Sequence, residues 1–424
     1  MSTPLPWGDT QKPWAFGQVK HLGSVTLGKM LQAKDTGQDV LAPYMRAANV
    51  QPDGVLSLDD VKKMWFSPGE LNSLSLRQGD VVVVEGGQGG FGRAAYVGED
   101  LDGWGFQNSI NRIRSSADSD GRFLAYYLIA LRATGFIRRY CNIVSMPHLT
   151  AEKLAAIPLP LPSGLEQCAI ADHLDRETME IDSLIAAQER FVRRLHERRD
   201  GLVEHHILRG VDPLHVGTQS PVPFLPVGRN YEVVLGKMLD AGKEVRPTDK
   251  MLPYVRAANI QDSGLALEDV REMPYSPSEI RRLDLRAGDV LVVEGGSVGT
   301  SVVLGEDMPG WSFQKTVNRA RPTGQVDPRF LAYTLRIYRD RGIISVLGNK
   351  STIAHFTAEK LRALRIPSPP LADQRQIADH LDRETAKINK LIAETRRHMG
   401  LAKERRIALV TAAVTGQIDI TKGA

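Results

Sequence analysis

The chain of 424 residues contains nearly the same sequence twice. Segments of the first half return in the second half in the same order, at an offset of 207 to 210 residues. The matching pairs are LGKML (27–31 and 235–239), PYMRAANV and PYVRAANI (43–50 and 253–260), GDVVVVEGG and GDVLVVEGG (79–87 and 288–296), RFLAYYL and RFLAYTL (122–128 and 329–335), TAEKL (150–154 and 357–361) and IADHLDRET (170–178 and 377–385). A repeat of this length predicts a pseudo-twofold molecule, a fusion of two related halves.

Each half has two parts with different patterns. The first part mixes short β-rich runs, such as VVVVE, with glycine, proline and asparagine, and it closes on a proline-rich stretch at 157–162 or 366–370. The second part has the spacing of a long helix. We therefore predict a mixed α+β chain, with a globular domain at 1–162, a central long helix at 163–212, a second globular domain at 213–369 and a C-terminal long helix at 370–419.

The long helices carry apolar residues at heptad spacing. In the first helix these residues are Leu174, Ile181, Leu184, Phe191, Leu195 and Leu202, and in the second they are Ile377, Leu381, Ile388, Leu391, Ala402 and Leu409. About 40 helical residues extend for about 60 Å. The first helix is acidic at its start and basic near its end, so we expect the two helices to pack as an antiparallel coiled coil that separates the globular domains. The alternative is that each helix folds back on its own domain.

Composition excludes several classes of protein. The two cysteines, Cys141 and Cys168, are too few for a disulfide framework or a four-cysteine zinc site. The sequence contains no apolar run of membrane-spanning length and no secretory leader, so we expect a cytoplasmic protein that does not contact membranes. Arginine outnumbers lysine by 37 to 17, and the net charge is +4. This balance permits DNA binding without identifying it.

A search for catalytic motifs points away from an enzyme. The segment at 87–92 fits the dinucleotide pattern G-x-G-x-x-G, but the second half has GSVG there, and the residues that follow predict a strand rather than a helix. Glu85 and Glu294 precede Gly-Gly rather than a nuclease-like E-x-K. His148 and His355 have no further ligand at metal-binding spacing. We predict no catalytic residues, no cofactor and no metal.

The order of these features resembles the specificity subunits of type I restriction-modification enzymes over nearly the whole chain. The similarity lies in the two GDV-VVEGG segments, the proline-rich exits, Glu166-Gln167 or Asp373-Gln374 before IADHLDRET, and the terminal TGQID at 415–419. The resemblance implies that each globular part is a target-recognition domain that reads one half of a split double-stranded DNA target. It also implies that the helices dock two methyltransferase subunits, that restriction subunits join the complex, and that this subunit is not itself catalytic.

Three polar stretches in each half are candidates for DNA contact, because bases are read by such side chains on loops. A further stretch at 349–352 is a candidate in the second half. The predicted DNA-binding residues are Arg46, Asn49, Gln88, Arg93, Gln107, Asn108, Asn111 and Arg112 in the first half, and Arg256, Asn259, Ser297, Thr300, Gln314, Lys315, Asn318, Arg319, Asn349 and Lys350 in the second. Residues that differ between the halves are the better candidates for base reading. Residues common to both can instead serve the fold or contact phosphates.

Three other interpretations remain at this stage. A stand-alone DNA-binding regulator or an anti-restriction protein of the same fold would share these features. An enzyme with an unrecognised active site would be exposed by a methylation assay of the isolated chain. A purely structural coiled-coil scaffold is disfavoured, because more than half of the chain has the pattern of a globular, loop-rich protein.

Overall fold

The computed structural model describes residues 12–87, 89–141, 148–208, 222–238, 245–347 and 355–420. In the first half the elements are β1 Ala15–Gln18, β2 Gly23–Leu27, β3 Val40–Met45, β4 Lys62–Phe66, α1 Pro68–Ser73, β5 Asp80–Val84, β6 Ala94–Tyr96, β7 Gly105–Phe106, β8 Ile110–Ser115, α2 Gly121–Ala133, α3 Phe136–Tyr140, α4 Ala151–Ala155, β9 Pro158–Leu161 and the long helix α5 Gly164–Leu208.

The second half has a closely similar order of elements. They are β10 Phe224–Pro226, β11 Tyr231–Leu235, β12 Lys250–Val255, β13 Ile260–Gln261, β14 Gly264–Leu265, β15 Arg271–Tyr275, α6 Pro277–Arg282, β16 Val290–Val293, β17 Ser301–Val303, β18 Ser312–Phe313, β19 Val317–Pro322, α7 Pro328–Asp340, α8 Ile343–Leu347, α9 Ala358–Ala363, β20 Arg365–Pro367 and the long helix α10 Leu371–Val414.

The chain forms two compact units that share the long helices. Unit 1 comprises residues 1–189 and 396–424, and unit 2 comprises residues 190–395. Each unit therefore contains one globular domain, one part of α5 and one part of α10.

Two main sheets form each globular domain. In unit 1 the strand orders are β2-β8-β5-β6 and β4-β3-β7, and in unit 2 they are β11-β19-β16-β17 and β15-β12-β18. The proline-rich exits form the strands β9 and β20, which pair antiparallel with β1 and β10 at the start of each domain. The first and last strands of each domain thereby pair with each other.

The valine run of β5 is buried on both faces, which explains why it does not alternate with polar residues. Val81 and Val83 belong to the core that contains Phe123 and Tyr127 of α2, whereas Val82 belongs to the core between the two sheets. Each fully buried valine contributes on the order of 1.5 kcal/mol or more through the hydrophobic effect. The four-stranded sheet is thus a middle layer, covered by α2 on one face and by the second sheet on the other.

Short helices begin at matched capping residues. Ser67 accepts a hydrogen bond from the backbone N–H of Glu70, whose carboxylate accepts from the backbone N–H of Ser67, and Pro68 occupies the first helical turn. Ser276 and Glu279 form the same reciprocal pair at α6. A serine followed three residues later by glutamate satisfies two backbone donors that the first turn leaves open.

The long helices contribute to the core of both units. In unit 1 Leu174 of α5 and Val410 of α10 lie in the same hydrophobic cluster as the α2 residues. In unit 2 Val203 of α5 and Leu381 of α10 lie together in the corresponding cluster. Gly416 has a φ of 71° just after α10 ends, the left-handed conformation in which a glycine commonly terminates a helix.

The predicted heptad seam is wrong at three positions. Leu184, Phe191 and Leu391 are exposed by 51%, 47% and 44%, whereas Ile185 and Val192 are buried. The buried face of α5 still follows alternating steps of four and three residues, through Ile181, Ile185, the half-buried Gln188, Val192 and Leu195. The prediction therefore takes a three-residue step after Ile181 where the structure has a four-residue step, and in α10 Ile392 is buried in place of Leu391.

Candidate nucleic-acid interface

The three predicted polar stretches of unit 1 meet at one edge of the domain. Ser109 joins them: its carbonyl accepts from the backbone N–H of Glu85 (2.9 Å), and its hydroxyl accepts from that of Ala47 (3.2 Å). The neighbouring Asn108 donates its backbone N–H to the carbonyl of Lys29 (2.8 Å). We call residues 28–31, 46–49, 85–87 and 107–109 the loop edge of unit 1.

Unit 2 builds its edge with the same bonds. Thr316 takes the place of Ser109: its carbonyl accepts from Glu294 (2.9 Å), and its hydroxyl accepts from Ala257 (3.1 Å). Lys315 donates its backbone N–H to Lys237 (2.8 Å). Residues 236–238, 256–259, 294–297 and 314–316 form the loop edge of unit 2.

The side chains that differ between the two edges are accessible. Lys315 and Ser297 are exposed, and Asn108 is half-buried. Gln107 and Gln314 are half-buried in both edges. These residues can present hydrogen-bonding groups to a ligand without a change in the fold.

Two further candidates next to the edges are held by the protein. Arg93 is half-buried, and one of its guanidinium nitrogens donates to the carbonyl of Val50 (3.4 Å). Thr300 is buried, and its hydroxyl accepts from Arg339 (3.1 Å). Thr300 is therefore out of reach of a ligand, whereas Arg93 remains partly accessible.

Arg46 and Asn49 divide their roles within one tight turn. The Asn49 side chain is buried, accepts from the backbone N–H of Arg46 (3.0 Å) and donates to the carbonyl of Ser57 (2.9 Å). The Arg46 guanidinium forms an ion pair with the exposed Asp60 at 2.5 Å. This geometry supports the alternative role for the asparagine, that of fixing the turn.

The equivalent turn of unit 2 has the same bonds. Asn259 accepts from the backbone N–H of Arg256 (3.1 Å), and the Arg256 guanidinium is paired with Asp269. Both arginines are half-buried but partly accessible and remain candidates for phosphate contact.

Four predicted residues lie inside the domains. Asn111 donates to the carbonyl of Leu149 (2.8 Å), and Asn318 donates to that of Phe356 (2.9 Å); both asparagines are fully buried. Arg112 and Arg319 are also buried, and burial lowers the pKa of each guanidinium. Because these side chains cannot reach DNA in this conformation, the structure corrects the expectation that they read bases and supports a role in the fold.

The Arg112 guanidinium donates to the carbonyls of Ser73 (3.0 Å) and Ser75 (2.7 Å), and the Arg319 guanidinium donates to that of Asp284 (2.7 Å). Each arginine thereby ties β8 or β19 to the segment that follows α1 or α6. Gln88, Asn349 and Lys350 lie outside the described residues.

Sequence reasoning missed one pair of exposed side chains on these edges. Met30 is exposed by 75% and Met238 by 60%, each directly after a lysine whose carbonyl holds the edge. The signal was present in the repeated LGKM segment, but a methionine in such a segment is more often read as core. Apolar side chains at a DNA surface contact thymine methyl groups or base steps.

Each loop edge contains one half-buried carboxylate, Glu85 or Glu294. Burial raises the pKa of Glu85, and His148, whose Nδ1 lies 3.9 Å from the carboxylate, opposes this shift. Burial likewise raises the pKa of Glu294, against the influence of His355 and Lys315.

Within the described ranges, no group of three or more His, Cys, Asp or Glu side chains is arranged to hold a metal ion. The glycine loop joins β5 to the strand β6, as the sequence predicts.

Comparison with known proteins decides the family. The family described as "Type I restriction modification DNA specificity domain" matches residues 11–188 and 239–397. The chain belongs to this family. It is a type I restriction-modification specificity subunit, as the sequence predicts.

Similar curated proteins carry the same description. The MjaVIII specificity subunit of Methanocaldococcus jannaschii is 21% identical over 307 residues, which cover 70% of each chain. The StySPI specificity subunit of Salmonella potsdam is 26% identical over 175 residues, 40% of this chain and 37% of the relative. These relatives are named specificity subunits rather than methyltransferases or endonucleases, which agrees with a non-catalytic chain.

Solved structures share the fold. A chain from a study of the assembly and conformational transition of the type I R-M system matches with a TM-score of 0.69 and 18% identity, covering 97% of this chain and 100% of that one. The HsdS subunit from Thermoanaerobacter tengcongensis matches with a TM-score of 0.55 and 17% identity, covering 97% and 98%. The predicted mixed α+β architecture is confirmed. Among the described residues, no helix is both long enough and apolar enough to cross a membrane.

Proposed function

We propose that this specificity subunit recognises a bipartite double-stranded DNA target, one half with each loop edge, and assembles with methyltransferase and restriction subunits in the cytoplasm. One observation carries the proposal. The two loop edges are built by equivalent hydrogen bonds around Ser109 and Thr316, yet they present different accessible side chains, Asn108 and Lys315. A shared frame with different polar side chains is suited to reading two different sequences.

The chemistry of the edges fits the major groove of DNA. Asparagine and glutamine can pair with the N6 and N7 positions of adenine, and lysine can donate to O6 and N7 of guanine. We assign Asn108, Lys315 and Ser297 to base reading. Gln107 and Gln314 are the same in both edges and accept from the hydroxyls of Ser109 and Thr316 (3.4 Å each), so they are assigned to the frame. Arg46, Arg256 and Arg93 are assigned to phosphates, because a bound phosphate can compete with the ion pairs and carbonyl bonds that now hold them.

The long helices act in this proposal as an antiparallel coiled coil between the recognition domains at 1–162 and 213–369. Support comes from within each unit. In unit 1 Arg406 of α10 contacts Asp182 of α5 at 3.0 Å, and in unit 2 Arg199 of α5 contacts Asn389 of α10 at 3.1 Å. Asp182 and Asn389 are 207 residues apart, and so are Arg199 and Arg406, so the two contacts join equivalent positions of the repeat. Such reciprocal contacts are expected of two antiparallel helices related by a pseudo-twofold axis.

The exposed apolar side chains of the helices are suited to partner binding. Leu184 in unit 1 and Leu391 in unit 2 are 207 residues apart and occupy the same place in the repeat. Both are exposed, and Met179 and Leu401 of unit 1 are exposed as well. Exposed large apolar residues on a folded surface mark interaction sites when they lie together. We assign Leu184 and Leu391 to equivalent contacts with two methyltransferase subunits.

A stand-alone regulator or an anti-restriction protein of the same fold is the alternative. It would bind DNA through the same edges without forming a stable methyltransferase complex. Co-purification of the full chain with a methyltransferase subunit from the same organism separates these functions.

Mapping methylated adenines across the genome of a strain with and without this gene tests the proposal. We expect a set of methylated sites that disappears with the gene and that shares two short sequences at a fixed gap. Methylation that is unchanged by deletion of the gene would contradict the proposal, as would methyl transfer by the highly purified single chain.

A further inference from the structure

A polar cluster in unit 1 joins the recognition domain to the long helix. Arg122, near the start of α2, contacts the carboxylate of its own helix cap, Asp120, at 2.6 Å. The same guanidinium reaches Asp172 at 2.7 Å and Asp175 at 2.8 Å on α5. One arginine thus bridges the cap of one helix and two carboxylates on another, and these bonds hold the pKa of Arg122 above its usual value.

A tyrosine one turn further along α2 extends the cluster. Tyr126 donates its hydroxyl to Asp175 (2.7 Å) and lies 3.2 Å from the hydroxyl of Thr178. Burial raises the pKa of Tyr126 to about 12, so the hydroxyl stays protonated and remains a donor. We call Arg122, Tyr126, Asp172 and Asp175 the clamp of unit 1.

Unit 2 contains the same clamp, formed by Arg329, Tyr333, Asp379 and Asp382. Arg329 contacts Asp379 and Asp382, each at 2.8 Å, and Tyr333 donates to Asp382 at 2.7 Å. Arg329 also holds its cap, Asp327, at 2.7 Å. The repeated motifs RFLAY and IADHLDRET supply both sides of the clamp, so its repetition is visible in the sequence.

The geometry of the clamp restricts both sliding and rotation of the recognition domain on the helix. Asp172, Asp175 and Thr178 are spaced three residues apart on one face of α5 and span about 9 Å along it. The planar guanidinium donates in fixed directions, so it can bridge two carboxylates only over a narrow range of helix orientations. The clamp therefore fixes where and at what angle α2 crosses α5.

Helix α2 connects the clamp to the loop edge. Phe123 and Tyr127 of α2 pack in one core with Val83 of β5, and β5 is followed directly by Glu85 of the loop edge. At the other end of α2, Arg132 donates to the carbonyl of Phe91 in the glycine loop (3.1 Å). A change in the angle of α2 on α5 consequently moves the loop edge with it.

We propose that Arg122 and Arg329 are positioning residues for DNA recognition. Each holds its recognition domain at one orientation on the long helix, so that both loop edges meet the DNA at a single separation. This inference rests on the proposed reading of a bipartite target. A domain freed from its clamp would still read its own half-site but would tolerate a different gap, because one base pair corresponds to only about 3.4 Å along the duplex.

The test uses the full complex with its methyltransferase subunits and DNA duplexes whose gap is one base pair shorter or longer than the natural one. Arg122→Gln removes the guanidinium. Asp172→Asn, at an exposed carboxylate, weakens the clamp with little risk to folding. Arg138→Gln is the control, since Arg138 is an exposed arginine of the same unit. Tm measured on each complex shows that it is folded.

We expect the preference for the natural gap to fall about tenfold in Arg122→Gln, with a smaller fall in Asp172→Asn, because small misplacements have large effects on methyl transfer. Discrimination against a mismatch inside either half-site should stay within twofold of the wild type, and the control should match the wild type. A uniform loss of methylation with the gap preference intact in both variants would overturn the proposal and leave Arg122 a purely structural residue.

Wild-type behaviour separates this result from failure of the proposed function. If the wild-type complex has no gap preference, the bipartite reading itself is wrong. If the wild type has one and both clamp variants keep it, the bipartite reading stands and only the positioning role fails. Arg329→Gln in unit 2 should reproduce the effect of Arg122→Gln.

Discussion

The clamps of unit 1 and unit 2 consist of the same residue types with the same contacts, whereas the layer beside them differs. Tyr96 of β6 lies within reach of the charges of Arg122 and Asp175, and Ile129 follows Tyr126 by three residues on α2. Their counterparts in unit 2 are Val303 and Arg336. In unit 2 this place is an open cavity of about 220 Å³ lined by Val303, Arg336 and three residues of the clamp, Arg329, Tyr333 and Asp382. The residues that join the recognition domain to the long helix are thus the same in both units, whereas the side chains beside them differ.

This comparison separates the residues that hold the frame from those that read DNA. A residue present in both units with the same buried contacts belongs to the frame. An accessible residue on the same frame that differs between the units is a candidate reader. Substitution of residues on either side of that division should therefore have different effects on stability, assembly and sequence preference.

Loss of a buried arginine should lower the stability of the fold more than any other substitution considered. Arg112→Ala and Arg319→Ala should each lower the free energy of unfolding by about 3 kcal/mol, since each leaves buried acceptors without their charged partner. Thermal or urea unfolding measures the effect, with Arg138→Ala as the exposed control. A stable Arg319→Ala variant that had lost DNA binding would instead place Arg319 among the readers.

Replacing an exposed leucine of the long helices with lysine should weaken binding of the methyltransferase subunit without lowering the stability of the chain. Leu184→Lys and Leu391→Lys should each weaken methyltransferase binding by about 2 kcal/mol, because a lysine replaces an apolar contact at an interface. Their unfolding temperatures should stay near that of the wild type. Calorimetric titration measures the affinity; normal binding by both variants would mean that the partner docks elsewhere.

Substitution of one reader should affect one half of the target. Asn108→Ala and Lys315→Ala should each lose about 1.5 kcal/mol of discrimination at a position in one half-site, and the affected halves should be opposite. Competition binding with single-base variants of the target resolves this. Equal weakening of all DNA sequences by Asn108→Ala would reassign that residue to a phosphate contact.

Filling the cavity of unit 2 should have the smallest effect. Val303→Tyr introduces the residue that unit 1 has at the same place and should raise the free energy of unfolding by about 0.5–1 kcal/mol, as cavity-filling substitutions do. The matched variant Tyr96→Val should lower it. A destabilised Val303→Tyr variant would show that the new ring displaces Arg336 from its ion pairs with Asp200 and Asp340.

Several features of the fold can be predicted from the sequence because they repeat. The repeats of GDV-VVEGG and IADHLDRET require two similar domains and two similar helices, and the family resemblance adds how they are arranged. The residues that follow the glycine segment at 87–92 form the strand β6 rather than a helix, as the sequence predicts. Periodicity also locates the long helices, although the buried seam runs through Ile185, Val192 and Ile392 rather than through their predicted neighbours.

Burial at the candidate site could not be predicted in the same way. Asn111 and Arg112 are neighbours on β8, and alternation along a strand would place one of them in solvent. Both are buried because β8 lies in the middle layer and is covered on both faces. The clamp was missed for a related reason: Arg122 and Asp172 are 50 residues apart, and charged residues on a helix normally indicate a solvated surface.

An exchange of recognition domains tests most directly the claim that two equivalent frames hold two different readers. In a chimera, residues 222–369 replace residues 12–162, so that both clamps hold the second domain. Genome-wide mapping of methylated adenines in a strain that expresses the chimera gives the result. We predict a target with two identical, inverted half-sites, each equal to the half read by the second domain, at the natural gap. A folded, active chimera that still methylates sites with two different halves would contradict the account.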